Sequence, residues 1–330
     1  MRRRHIMFAV GWPADVDPAV VDKVARVAAA MEAEVQLFHC VFDRALVHPQ
    51  RFSTQRSIRH LVESERRRLQ PLVGRLRARG VRVRSSVRWD YPVHEGIVRQ
   101  ALRREPALLV VQSTRRRRGF GRLLGRTEFR LIERCPCPVL FIRSREPYPP
   151  VPVLLAAVDP RTTHDKPLEL DDQILRSAEV LRTGLGGELA VFHARPSWED
   201  ALRAEPELRR VPTVVRNDVC GAYCDGIDGQ VAEVAARHGV PRERMHILEG
   251  PAAQCLLIAA DDAAADIVAV GAVSRSILRR AITGHTAERV FDSLGCDVLV
   301  VKPRGFRTPI SRQSQHHVER LTRHASWTVY

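Results

Sequence analysis

Short apolar runs alternate along the chain with segments whose apolar positions recur every three to four residues. The runs predict strands over 6–10, 35–40, 81–87, 108–111 and 139–142, and again over 153–158, 189–193, 245–248, 266–270 and 298–301. Runs such as IVAV at 267–270 and VLVV at 298–301 are apolar at every position. Only strands covered on both faces, as in a parallel sheet between helix layers, need that pattern. Between them the spacing predicts helices over 171–183, stopped by Gly184, over 229–238, stopped by Gly239, and over 252–264 and 286–294. Strand–helix–strand alternation implies right-handed crossovers. The expected fold class is α/β, with two tandem, open, five-stranded parallel-sheet domains.

The two halves are one pattern written twice. Residues 107–143 and 266–302 align at a constant offset of 159, which sets Gly125 on Gly284, Thr127 on Thr286 and Cys137 on Cys296. Nearer the starts of the two copies the offset shrinks, as Phe38-His39 falls on Phe192-His193. The second copy therefore carries an insertion, placed within 196–230. A period this long marks duplicated domains and not short repeats. Four prolines in 143–152 make a stiff, extended joint. The expected boundaries are 1–146, a linker at 147–152, 153–303, and a polar extension at 304–330. The 330 residues suit two domains of about 150 each.

Charge separates the copies. Residues 1–150 hold 31 basic and 14 acidic side chains (+17), residues 151–303 hold 17 and 23 (−6), and residues 304–330 hold 5 and 1 (+4), which sums to the net +15. A basic first domain is open to an acidic protein, an anionic lipid surface or nucleic acid, and equally to a solvated arginine-rich surface. No apolar run reaches the roughly 18 residues of a membrane span. Arg2–Arg4 followed by an apolar stretch imitates a signal peptide, but Pro13, Asp15 and Asp17 cut it short, so a cytoplasmic protein is expected. Seven scattered cysteines lack zinc-site spacing and read as reduced thiols.

In an open parallel sheet, ligands bind beyond the carboxyl ends of the strands at the point where strand order reverses. In the second copy the first strand ends at Asp159, and the fourth runs into Gly271 and Ser274, with Gly284-His285-Thr286 opening the next helix. Glycine permits a tight turn or a close backbone approach to a ligand. The N–H groups at that helix start favour an anion such as phosphate. Thr286 adds a hydroxyl or caps the helix, and Arg275, Arg279 and Arg280 could complement phosphate charge.

These residues resemble the universal stress protein family, in its tandem two-domain form, over 5–303. Nucleotide-binding members carry G-x2-G-x9-G-[S/T] after strand four; Gly271 matches its first glycine and Gly284 its third. The resemblance implies that Asp159 faces the nucleoside and that Ala194, after strand two, lies at the adenine pocket. The departures are Ser274 for the second glycine and His285 for the Ser/Thr that holds terminal phosphates. In the first copy Gly11 replaces the aspartate, while Gln112 and Arg115 replace the first two glycines, so no ordinary ATP site is expected there. His39 and His193, at matching strand ends, read as structural side chains. Arg66–Arg68 read as a solvated helix face paired with Glu63 and Glu65.

The implied function is a stress-response regulatory or protective module that binds an adenine nucleotide (ATP, ADP or AMP) in domain 2. Magnesium would enter with the nucleotide, held by Asp159 through water, and at most weak ATPase activity is implied. No catalytic constellation emerges. The alternatives are an interaction or apolar-ligand module without a working nucleotide site, and nonspecific nucleic-acid binding by the basic domain, which lacks interleaved aromatics. The duplication suggests an intramolecular pseudo-dimer, the last strands pairing near 139–142 and 298–301, and is compatible with a homodimer of tandem chains.

Overall fold

The computed structural model describes residues 4–43, 46, 54–113, 126–161, 169–272 and 293–313. Among these, one compact unit takes the residues up to 113, 126–147 and 306–313, and a second takes 148–161, 169–272 and 293–305. The first stretch of the C-terminal extension thus belongs to unit 1, where Ile310 is buried and Arg312 meets Glu105 at 3.1 Å.

Unit 1 contains β1 (His5–Val10), α1 (Pro18–Ala30), β2 (Glu34–Val41), α2 (Thr54–Arg77), β3 (Val83–Trp89), α3 (Val93–Arg104), β4 (Leu108–Gln112), α4 (Arg126–Arg134) and β5 (Val139–Ile142). Its sheet order is β3-β2-β1-β4-β5, parallel throughout. Asp17 caps α1 by accepting from the Ala19 N–H at 3.0 Å, with Pro18 at the first helical position. The apolar face of α1 (Val20, Val24, Val27) and the strand residues Phe8, Phe38 and Phe141 are buried in the core.

Unit 2 contains β6 (Val153–Ala157), α5 (Leu170–Leu185), β7 (Glu188–Arg195), α6 (Trp198–Ala204), α7 (Arg216–Arg237), β8 (Met245–Glu249), α8 (Ala252–Asp262), β9 (Ile267–Gly271) and β10 (Asp297–Val301). The order is β10-β9-β6-β7-β8, again parallel. β9 and β10 are buried at every position, as their unbroken apolar runs require. The prolines before β6 are fastened to this unit. The Tyr148 hydroxyl donates to the buried Asp297 carboxylate at 2.7 Å, and the Glu188 N–H donates to the Pro152 carbonyl at 2.9 Å.

Several boundaries differ from the sequence reading. α5 runs through Gly184 and ends at Gly186, whose φ of +68° forms the left-handed cap. β7 continues to Arg195, which places Ala194 inside the strand and not after it. α7 begins thirteen residues before the expected 229, because its first turns carry Gly221, Gly226 and exposed polar residues while its buried face is Ile227, Val231, Val234 and Ala235. The expected insertion within 196–230 is α6, two short 3-10 turns and the start of α7. No helix among the described residues is long and apolar enough to cross a membrane.

Candidate functional site

The register of unit 2 pairs Ala156 with Ala269, so the carboxyl ends of β6 and β9 lie side by side. β7 and β8 lie on one side of β6, while β9 and β10 lie on the other. This is the reversal point at which a doubly wound sheet opens a crevice. Asp159 stands exposed just past β6, and its backbone N–H donates to the Asp171 carboxylate at 3.1 Å. Asp171 is buried in the first turn of α5, so the loop carrying Asp159 is pinned to that helix start.

Gly271 closes β9, but not as a turn: it is not among the glycines with positive φ. A Cβ there would come within 2.7 Å of Leu170 Cδ2 and 3.0 Å of Ile174 Cδ1. Its missing side chain lets α5 seat against the strand end, a use of glycine the sequence did not reveal.

His193 ties two strand ends together. Its Nδ1 lies 3.0 Å from the Val158 carbonyl, which can only accept, so that nitrogen carries the proton. His39 repeats the contact with the Val10 carbonyl at 3.0 Å. Each histidine thus ties two neighbouring strands together, a structural role. They differ at Nε2: that of His39 faces Glu65 at 3.6 Å, whereas that of His193 is buried with no hydrogen-bond partner among the described residues.

Past β7 the chain forms a wall that sequence reasoning missed. Ser197 caps α6 by accepting from the Asp200 N–H at 3.2 Å. Trp198 packs edge-on against Tyr223 of α7, with centroids 6.1 Å apart. Glu205, at the end of α6, accepts from Arg161 at 2.6 Å and from the Tyr223 hydroxyl at 3.0 Å, and the Arg161 guanidinium lies 5.6 Å from the Tyr223 ring centroid. The inserted helices are thereby tied back to the loop that carries Asp159. Burial pushes the Tyr223 phenol above its ordinary pKa; Arg161 opposes the shift and Glu205 adds to it. The shrinking repeat offset was the one sequence signal for this segment. Beside Ala194, Arg195 pairs with Asp228 at 3.2 Å, yet its Nε, like Trp198 Nε1, is a buried N–H with no acceptor among the described residues.

The structure brings together Asp159, Ala194 and Gly271 at adjacent strand ends. Ser274, Gly284, His285 and Thr286, with Arg275, Arg279 and Arg280, lie outside the described residues, as does Arg115 in the first copy. In unit 1 the equivalent crevice is crossed by a side chain. The Gln112 amide, at the end of β4, donates to the Asp15 carbonyl in the loop after β1 at 3.3 Å. Among the described residues, no group of three or more His, Cys, Asp or Glu gathers as a metal site.

Solved structures with this fold include a protein of unknown function from Pseudomonas aeruginosa PAO1, 22% identical over 98% of each chain with a TM-score of 0.64. A universal stress protein from Archaeoglobus fulgidus is 16% identical, covering 89% of this chain and 98% of that one, with a TM-score of 0.56. Among sequence relatives, universal stress protein E of Escherichia coli K12 is 25% identical over 237 residues, 70% of this chain and 72% of that protein. The universal stress protein E homolog of Haemophilus influenzae is 23% identical over 259 residues, 76% and 80% of the two chains. The sequence profile of the universal stress protein family matches twice, at residues 2–143 and 167–302. The chain is a tandem member of the universal stress protein family.

Proposed function

We propose that this protein is a cytoplasmic stress-response module whose second unit binds an adenine nucleotide, while the first does not. The observation that carries the reading is the contrast between the two reversal points. In unit 2 an exposed carboxylate, Asp159, borders the crevice. In unit 1 glycine replaces it and Gln112 bridges the gap. A carboxylate at this place suits the ribose hydroxyls, which donate hydrogen bonds. The N–H groups of Arg195 Nε and Trp198 Nε1, one and four residues after Ala194 and without an acceptor among the described residues, suit a base that offers ring nitrogens as acceptors. Phosphates would reach toward the 271–286 segment, with magnesium accompanying them.

Calorimetric titration with ATP, ADP and AMP tests this. Binding tighter than about 1 mM, which is about 4 kcal/mol, is expected for at least one of them. Asp159→Ala should weaken it tenfold or more, a charge-assisted hydrogen bond being worth about 1.5–3 kcal/mol. Gly284→Val should weaken it further. Absence of binding in the millimolar range for all three nucleotides overturns the reading.

A further inference from the structure

In unit 1 the fold sets a strand edge lined with arginines beside a cluster of rings. β3 is the edge strand of the unit 1 sheet, paired with β2 on one side only. Val83 and Val87 are buried, while Arg82, Arg84 and Arg88 are exposed. Arg84 and Arg88 share a face of the strand, two alternations or about 13 Å apart, and Arg82 lies one residue before the strand in the same alternation, so the three form a cationic row. Arg84 lies 3.4 Å from Glu34, whereas Arg82 and Arg88 have no anionic partner among the described residues. The neighbouring helices add to the excess: Arg59, Arg67 and Arg77 of α2 and Arg104 of α3 are exposed and likewise unpaired. Burial first, and then the positive charge of Arg88, lower the pKa of Arg103, which shows like charges crowded at the end of the row.

The row ends in a cluster of rings. Phe42, just past β2, packs against Trp89 with centroids 5.5 Å apart and against Tyr91 at 4.3 Å. Tyr91 is 40% exposed. Charge of either sign guards a free strand edge against unwanted pairing. Here every exposed charge of the strand is positive, and an exposed ring stands at its carboxyl end. A ligand that fits both parts carries regularly spaced negative charge and flat π-faces. An acidic peptide supplies only the charge, and a lipid surface offers no rings to stack.

We propose that the β3 edge of unit 1 is a binding face for single-stranded nucleic acid, with Arg82, Arg84 and Arg88 tracking the phosphates and Tyr91 as a stacking platform. This is a site separate from the nucleotide crevice of unit 2. Single strands are favoured over duplex because their bases are free to stack, and stacking on an aromatic side chain tolerates any base.

The test is fluorescence anisotropy of labelled 20-nucleotide single strands with the full chain, across a salt series. The logarithm of affinity should fall with that of salt by about 0.7 per phosphate contact. Arg82→Glu with Arg88→Glu should raise Kd at least tenfold. Tyr91→Ala should raise Kd for the single strand about fivefold or more while leaving heparin binding unchanged. Tyr91→Phe should retain wild-type affinity. These positions are exposed, and unchanged thermal melts would show that the variants fold. If the arginine variants bind as well as wild type, the proposal fails. It also fails if Tyr91→Ala loses nothing beyond wild type, or if anionic vesicles or polyglutamate bind more tightly than the oligonucleotide at equal salt.

Discussion

Cys40 shows how one buried side chain records its surroundings. Its thiol donates to the Asp90 carbonyl at 3.6 Å, and α3 packs so closely that a Cβ on Gly96 would overlap its sulfur. Burial first, and then the charge of Asp90, push the thiol pKa up to about 12. Since the folded value lies above the unfolded one, the protonated thiol adds stability that is complete below the ordinary thiol range. That stability is lost as pH rises from about 8.5 toward 12. Denaturant melts across this window should show falling stability, less steeply in Cys40→Ala. Native protein at neutral pH should leave Cys40 unlabelled by iodoacetamide until it unfolds. Beside it, Asp90 and Arg99 form a buried bidentate pair at 2.8 and 2.9 Å, joined by Glu95 at 3.0 Å from the same guanidinium. Nothing in the sequence distinguished this arginine from its many solvated neighbours. Arg66, which pairs with Glu63 in solvent on α2 as expected, shows the ordinary case, whereas Glu65, expected on the same solvated face, is buried where it accepts from the exposed Arg68 at 2.6 Å.

The strands were legible because burial on both faces leaves no polar position, and IVAV and VLVV can be little else. The helices were legible where a full stripe is buried and illegible where it is not. α2 holds Pro71 and a run of arginines, and the first half of α7 buries little, so their periodicity was hidden. The Arg161–Glu205–Tyr223 cluster was hidden for another reason: its members are dozens of residues apart, and only the fold brings them together. Gly271 was found by its spacing, but its described contact is with a helix. Gly271→Ala should force Leu170 and Ile174 aside and lower stability by about 1–3 kcal/mol, as overpacking does. A denaturant midpoint unchanged from wild type would show that α5 yields without cost.

At the scale of the molecule, the two copies share a sheet order and differ in charge, +17 against −6 from the counts over 1–150 and 151–303. That difference follows the proposed division of labour: the basic copy meets polyanions at its sheet edge, and the acidic copy meets a small ligand at its crevice. A ligand bound to one unit slows exchange there. At about 100 times its Kd, ATP adds about 2.7 kcal/mol to the state that holds it. Hydrogen exchange with saturating ATP should therefore slow at the ends of β6, β7 and β9 and stay unchanged at β1 and β4. Protection spread equally over both copies would contradict the division.

The Gln112 amide that spans the loop after β1 also sets a count. A duplicated nucleotide fold with both crevices open would take two ligands per chain and could couple them. With one crevice crossed by its own side chain, the titration should saturate at one nucleotide per chain and follow a simple hyperbola. Occupancy would then report ligand concentration in proportion, without a threshold: a graded sensor in place of a switch.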